Sequence, residues 1–326
     1  MISLQPISQE RSMVENDSVS TTRPLFSIII GVCDDWVPLD HCLRSLAQQT
    51  NGPSFEVIIV DDGSRKAAPE SIRGWNRSYP LTIVTQSHAG ISAARNHGVQ
   101  ISKGSLLLFV DADCRLRAGC LAALHSTIAN LPHHNYFQLH LIGDCSGPVG
   151  RAEELRLITL QNHLLQPDGC IRYLNTAGFA MRRARVDIER GVFDPAALRA
   201  EDTMLLANLI QGEQLPLFVV DAIVQHAPSL SLIGSLRKDI WSAFLEGRTY
   251  DTIASMGVRI RVTHRERFRM LLSMWKTSGQ HSIGRAAWFM VAARQGLRLV
   301  ITLAYRCLRG GARSESQLSA NSYLQK

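Results

Sequence analysis

Leu106-Leu107-Leu108-Phe109-Val110-Asp111-Ala112-Asp113-Cys114 is the stretch whose reading decides the fold. Five apolar residues in succession, one β-branched and one aromatic, read as a strand buried on both faces. The run stops at two carboxylates one residue apart, so both acids sit at the strand's carboxyl end. Ligands of open α/β sheets bind at that end, and paired oxygen donors suit a hard cation such as Mg2+ or Mn2+ held against a diphosphate. Asp is also ordinary turn and cap chemistry, and this stretch alone leaves both readings open.

Upstream, Phe26 to Val32 reads as a first buried strand, followed by Asp34-Asp35 and a segment from Leu39 to Gln49 whose Leu39, Cys42, Leu43, Leu46 spacing is helical. Phe55 to Val60 is a second strand, and it too ends on acids, Asp61-Asp62-Gly63-Ser64. Strand, helix and strand in this order make a βαβ unit with a right-handed crossover. Leu81 to Val84 is a third short strand, and Ser87 to Gly98 supplies a glycine-containing turn that opens a helix bearing Arg95 and Asn96. Three strands thus deliver polar residues to what should be one sheet edge. The pattern predicts an α/β fold.

The 326 residues, 45% hydrophobic and 19% charged, describe a globular chain with a large core. Its formal charge of +7 hides an asymmetry. Residues 1–236 hold 19 Lys/Arg against 23 Asp/Glu, net −4, whereas residues 237–313 hold 15 against 4, net +11. The basic back part points to an anionic surface as partner. Nucleic acid is the weaker choice, because no nucleic-acid-binding module accompanies the charge. Seven cysteines without a C-x-x-C pair suggest neither a zinc site nor a disulfide framework, and fit a reducing compartment. Residues 1–24 are Ser/Gln/Glu-rich, carry no charged-then-apolar leader and are expected to be disordered. No apolar run reaches the ~18–20 residues of a membrane span.

Taken in order and spacing, Ser27-Ile28-Ile29-Ile30, Val60-Asp61-Asp62-Gly63-Ser64, Ala93-Ala94-Arg95-Asn96-His97-Gly98 and Val110-Asp111-Ala112-Asp113-Cys114 resemble the family 2 glycosyltransferases of the GT-A fold. A downstream block, Asn175 to Arg183, Gly191 to Pro195 and Arg199 to Leu205, resembles that family's acceptor-side segment with its Glu-Asp pair, Glu201 and Asp202. The similarity covers roughly residues 25–228. Members of the family usually carry Pro then Asn after the first strand, where this chain has Gly31 and Asp34, and the segment from Asn130 to Gly150 matches nothing in the pattern.

The resemblance implies a mixed, mostly parallel sheet flanked by helices, with the GT-A domain over residues 25–235, a basic helical extension over 236–310 and a flexible tail over 311–326. It implies an inverting, metal-dependent, hexosyltransferase-like enzyme moving sugar from a nucleotide-diphosphate donor to a hydroxyl of a glycan or glycolipid, as in a surface polysaccharide pathway. Asp61 would accept from the nucleotide base, with Asp62 beside it; against this stands a plain Asp-Gly turn. Arg95 would neutralise phosphate or hold the acid of a neighbouring strand, since its planar fork pairs with two oxygens. Asp113 would ligate Mn2+ or Mg2+, with Asp111 on the ribose or a metal-bound water, and His226 near the metal or diphosphate. Asp202 would be the general base, with Glu201 shaping its site; both acids also suit a helix N-terminus. A non-catalytic nucleotide-sugar binder and a sugar-phosphate nucleotidyltransferase are the rival readings, the latter lacking the Gly-rich basic phosphate loop it needs.

From residue 236 onward the segments are Arg-rich and helical. In Arg285 to Arg309, positions 294, 298, 306 and 309 share about a third of the helical wheel, while Trp288, Phe289, Val291, Leu299 and Leu303 supply apolar surface. A packed helix with a charged outer face and an interfacial helix on anionic lipid both fit. The protein is expected in the cytoplasm, and the second reading would place it peripherally on the inner face of the cell membrane.

Overall fold

A computed structural model describes residues 23–304 apart from 198, 228–231, 259, 261–263, 281–282 and 303. The expectations for residues 1–22 and for the tail, including Arg306 and Arg309, lie outside the described residues. In chain order the elements are β1 (Phe26–Val32), α1 (Trp36–Ala47), β2 (Phe55–Asp62), α2 (Glu70–Arg73), β3 (Leu81–Gln86), α3 (Ile91–Ile101), β4 (Leu106–Phe109), β5 (Cys114–Leu116) and α4 (Cys120–Asn130). There follow β6 (Tyr136–Gly143), α5 (Pro148–Leu164), β7 (Phe179–Arg182), α6 (Glu201–Gln211), β8 (Leu217–His226), α7 (Leu232–Ser255) and α8 (His264–Gln280). Residues 285–302 are helical and are called α9.

The strands form one sheet in the order β3-β2-β1-β4-β7-β6-β8-β5. The β3-β2-β1-β4 half is wholly parallel. Beyond it β7 runs antiparallel to both β4 and β6, β6 and β8 are parallel, and β5 closes the far edge antiparallel to β8. The unbroken apolar runs of β1 and β4 follow from burial on both faces. Ile28, Ile30 and Leu108 pack with Leu39, Leu43 and Leu46 of α1 and Leu121 and Leu124 of α4. Ile29, Leu107 and Phe109 enter the opposite layer with Val99 of α3 and Leu205, Leu206 and Leu209 of α6. Each strand end is therefore clamped between two helical layers. Parallel β1, β2 and β4 all open their carboxyl ends on the same edge.

The back helices pack onto this core. Met274, Ala287 and Val291 join Ala152 and Leu155 of α5 in one apolar cluster, and Ile253 of α7 joins Met204 and Ala207 of α6 in another. Arg294 and Arg298 turn toward α7. Arg294 donates to both oxygens of Asp239 at 2.5 and 3.1 Å, and Arg298 to both oxygens of Glu246 at 2.7 and 2.6 Å. Such forked pairs fix the register of one helix on another.

Candidate active site

The loop that follows β1 departs from the family pattern, and its geometry says what replaces it. Asp34, with φ +62°, accepts from the Arg65 backbone N–H at 2.9 Å and from Arg65 Nε at 2.7 Å, and its own N–H donates to Ser64 Oγ at 2.8 Å. The loops after β1 and β2 are laced together by this residue. Gly63 lies at the crossing with φ +77°, and a Cβ there would sit 2.9 Å from the His88 backbone nitrogen, so only glycine fits.

The two acids that end β2 divide their tasks. Asp61 is buried and accepts from the Ser64 N–H at 2.9 Å, closing the turn. Asp62 accepts from Gln86 Nε2 at 2.9 Å and from the Ala89 and Gly90 N–H groups at 2.8 and 2.9 Å, and lies 2.9 Å from His88 Nδ1. It thereby fixes the entrance to α3. From α3, Asn96 grips the segment before α6: its Oδ1 accepts from the Val192 and Phe193 N–H groups and its Nδ2 donates to the Phe193 carbonyl.

Arg95, one residue earlier on α3, is 2% exposed and stands at the centre of the site. Its two terminal nitrogens donate to Asp111 Oδ1 at 2.6 Å and to Glu201 Oε1 at 2.7 Å, joining the end of β4 to the start of α6. Burial works against its charge, but the Asp111 and Glu201 carboxylates outweigh burial and raise its pKa. Its Nε is, among the described residues, the one buried side-chain polar atom without a hydrogen bond.

Asp113 and His226 meet because of strand register. Cys114 on β5 is the ladder partner of His226 on β8, and the Ala227 N–H donates to the Asp113 carbonyl at 2.9 Å, so the two side chains emerge side by side. Asp113 Oδ2 lies 3.4 Å from His226 Nε2, and on the other side of the ring Glu153 Oε1 of α5 lies 3.7 Å from Nδ1. Burial lowers the imidazole's proton affinity, but the two flanking carboxylates push its pKa up to about 10. Burial likewise opposes charge on Asp113, yet His226 and the Lys238 ammonium hold it below the usual carboxylate range. Glu153 is anchored by Arg156, whose Nε and a terminal nitrogen donate to its two oxygens at 2.9 and 2.5 Å, and this fork offsets burial to keep Glu153 well below its ordinary value.

Asp113, Cys114 and His226 offer three possible ligand atoms within 4.8 Å of one another. Cys114 is fully buried and packs within the main apolar cluster. Asp113 and His226 supply one carboxylate oxygen and one imidazole nitrogen facing the cavity. That donor set fits Mn2+, and Mg2+ with more of its ligands drawn from phosphate or water.

The second acidic pair opens α6. Ala200 holds φ +60°, ψ +34°, an uncommon backbone for a side chain with a Cβ, immediately before Glu201 and Asp202. Both bonds from Thr203, its N–H at 2.6 Å and its hydroxyl at 3.1 Å, land on Asp202 Oδ1. Burial and the adjacent Glu201 carboxylate push Asp202 up to about 7, against the opposing pull of Thr203 and Arg95.

One cavity of about 1210 Å3 unites these groups. Asp62, Arg95, Asp111, Asp113, Glu201, Asp202 and His226 all line it; Asp61 does not. Asp35, Glu153, Arg156, Tyr173, Asn175 and Lys238 line it as well, and residue-by-residue reading of the sequence did not single them out. Of these only Asn175 lay inside a family-like motif. Glu153 and Lys238 become visible only once α5 and α7 are placed against the sheet.

The profile of glycosyl transferase family 2 matches residues 27–191, half of the chain, and the chain belongs to that family. Among curated proteins it is similar to glycosyltransferase AglE of Haloferax volcanii, 33% identical over 99 residues, covering 29% of this chain and 33% of that one. It is also similar to the uncharacterized glycosyltransferase YibD of Escherichia coli, 35% identical over 88 residues, covering 27% and 25%. The matched stretch thus spans a third or less of either relative. Among solved structures, mannosyltransferase PcManGT from Pyrobaculum calidifontis, in complex with GDP-Man and Mn2+, aligns with a TM-score of 0.55 at 16% identity over 93% of this chain and 81% of that one. Residues 1–349 of TarS from S. aureus, in complex with UDP-GlcNAc, align with a TM-score of 0.54 at 16% identity over 85% and 81%. The fold is GT-A.

Proposed function

We propose that the protein is an inverting, metal-dependent glycosyltransferase that moves a hexosyl group from a nucleotide-diphosphate sugar to a hydroxyl of a glycan or glycolipid. The observation that carries this reading is that Asp113 with His226 and Glu201 with Asp202 line one cavity, with Arg95 bridging Asp111 to Glu201. PcManGT, of the same fold, is known with GDP-Man and Mn2+, which supports the donor class and the metal.

In this reading Asp113 and His226 would hold Mn2+ or Mg2+ at the donor diphosphate, His226 ligating through a neutral imidazole nitrogen. The bound cation would stabilise the charge gathering on the departing nucleotide. Asp111, steered by Arg95, would face the ribose or a water on the cation. Asp61 and Asp62 set the loop against the nucleotide base, Asp61 through the bond it accepts from the Ser64 N–H. Asp202 takes the proton of the acceptor hydroxyl on its Oδ2, because Oδ1 already accepts twice from Thr203. Attack from the face opposite the leaving group inverts the anomeric carbon. Glu201 is paired to Arg95 and, as the adjacent carboxylate, raises Asp202 toward a working base's range.

The reading is tested by incubating the full chain with a panel of UDP-, GDP- and dTDP-sugars in Mn2+ or Mg2+. At least one donor should raise the melting temperature and be hydrolysed slowly in a metal-dependent way. No stabilisation or hydrolysis with any donor in either metal would contradict it.

A further inference from the structure

Helix α8 buries Met270, Met274 and Ser278 on one side, and Met270 also lines the cavity. At about 100° per residue, Arg265, Phe268, Arg269, Leu272, Trp275 and Lys276 fall within an arc of about 120° on the opposite side, and all six are exposed. Phe268 is 63% exposed, Leu272 51% and Trp275 37%. From α9, Phe289, 60% exposed, meets Trp275 edge-on with ring centroids 6.2 Å apart, and the Arg285 guanidinium lies 4.7 Å over the Trp275 ring. The result is a continuous apolar strip along one edge of the arc with cations along the other.

We propose that this face docks in the plane of a bilayer surface rich in anionic lipid. Large aromatic and aliphatic side chains beside Arg and Lys are what an interfacial helix presents: the apolar strip enters the acyl boundary while the cations meet lipid phosphates. Charge complementarity selects that occupant, since the cations on this face are the exposed Arg265, Arg269, Lys276 and Arg285. A second copy fits worse, because a two-fold contact would set Arg265, Arg269 and Lys276 against the same cations of the other chain. None of the exposed residues of this face lines the cavity, so the inference stands apart from the proposed reaction. It differs from an interfacial reading of α9 through Arg294 and Arg298, which are engaged by α7.

Flotation of the full chain with vesicles of phosphatidylcholine alone, or mixed with phosphatidylglycerol at roughly 7:3, tests the proposal. The protein should float with the mixed vesicles only, and lose flotation in about 1 M salt. The double variants Phe268→Ser with Leu272→Ser, and Arg265→Glu with Arg269→Glu, should each float about tenfold less or worse, with melting temperature and donor hydrolysis unchanged. Absence of flotation on mixed vesicles, equal flotation on neutral ones, or variants that float like the parent would overturn it. So would a concentration-dependent dimer abolished by Phe268→Ser with Leu272→Ser in a chain that does not float, which assigns the face to self-association.

Discussion

Asp202→Asn is expected to slow sugar transfer by about 10²–10⁴-fold, the usual contribution of a general base, while donor and metal bind as in the parent. Asn keeps the size and an oxygen for the Thr203 bonds but cannot take a proton. Steady-state transfer and calorimetric donor binding measured side by side separate the two effects. The parent's transfer rate should rise as pH increases through about 7, because burial and Glu201 hold the acid protonated up to that point. Stability runs the other way. A carboxyl whose folded pKa lies above its ordinary 3.8 stabilises the fold fully below that value and loses the contribution as pH rises through about 7. The Asn variant should therefore melt higher than the parent at pH 8 and alongside it near pH 4. An unchanged transfer rate in Asp202→Asn removes the assigned base.

Asp113→Ala is expected to abolish metal-dependent donor binding. Loss of a residue that only supports a metal ligand costs 10–100-fold in affinity, so loss of a proposed ligand should cost at least about 100-fold. The side chain sits at the cavity rim, 23% exposed, and its main-chain carbonyl would still accept from Ala227, so the β5–β8 edge should survive. Donor binding titrated with and without Mn2+ gives the answer. A variant that binds donor with the parent's affinity and metal dependence places the cation elsewhere.

The parallel half of the sheet was legible because β1, β2 and β4 are covered on both faces, which forces unbroken apolar runs such as Ile28-Ile29-Ile30. Strands β5 and β7, three and four residues long, left no such trace; β5 exists through its ladder with β8, a tertiary event. That ladder is also what brings Asp113 to His226, so family resemblance could suggest their proximity where the spacing of the two residues could not. Glu153 and Arg156 were missed because their meaning lies in the contact with His226 from a separate helix. Arg294 and Arg298 read as part of a charged face because nothing local announces that Asp239 and Glu246, 55 and 52 residues away, turn to meet them. For Asp61 the motif was legible but its local partner was not: the carboxylate accepts from the Ser64 N–H, and Asp61 is not among the residues lining the cavity.

The central claim is that one cavity holds the cation, the donor and the base. Anomalous diffraction at the manganese edge, from crystals of Asp202→Asn grown with Mn2+ and the donor selected by the panel, tests it most directly. The account predicts a single strong peak within about 2.0–2.4 Å of Asp113 and His226, with the donor's anomeric carbon on the side facing residue 202. A peak away from Asp113, or a sugar directed away from residue 202, would contradict it.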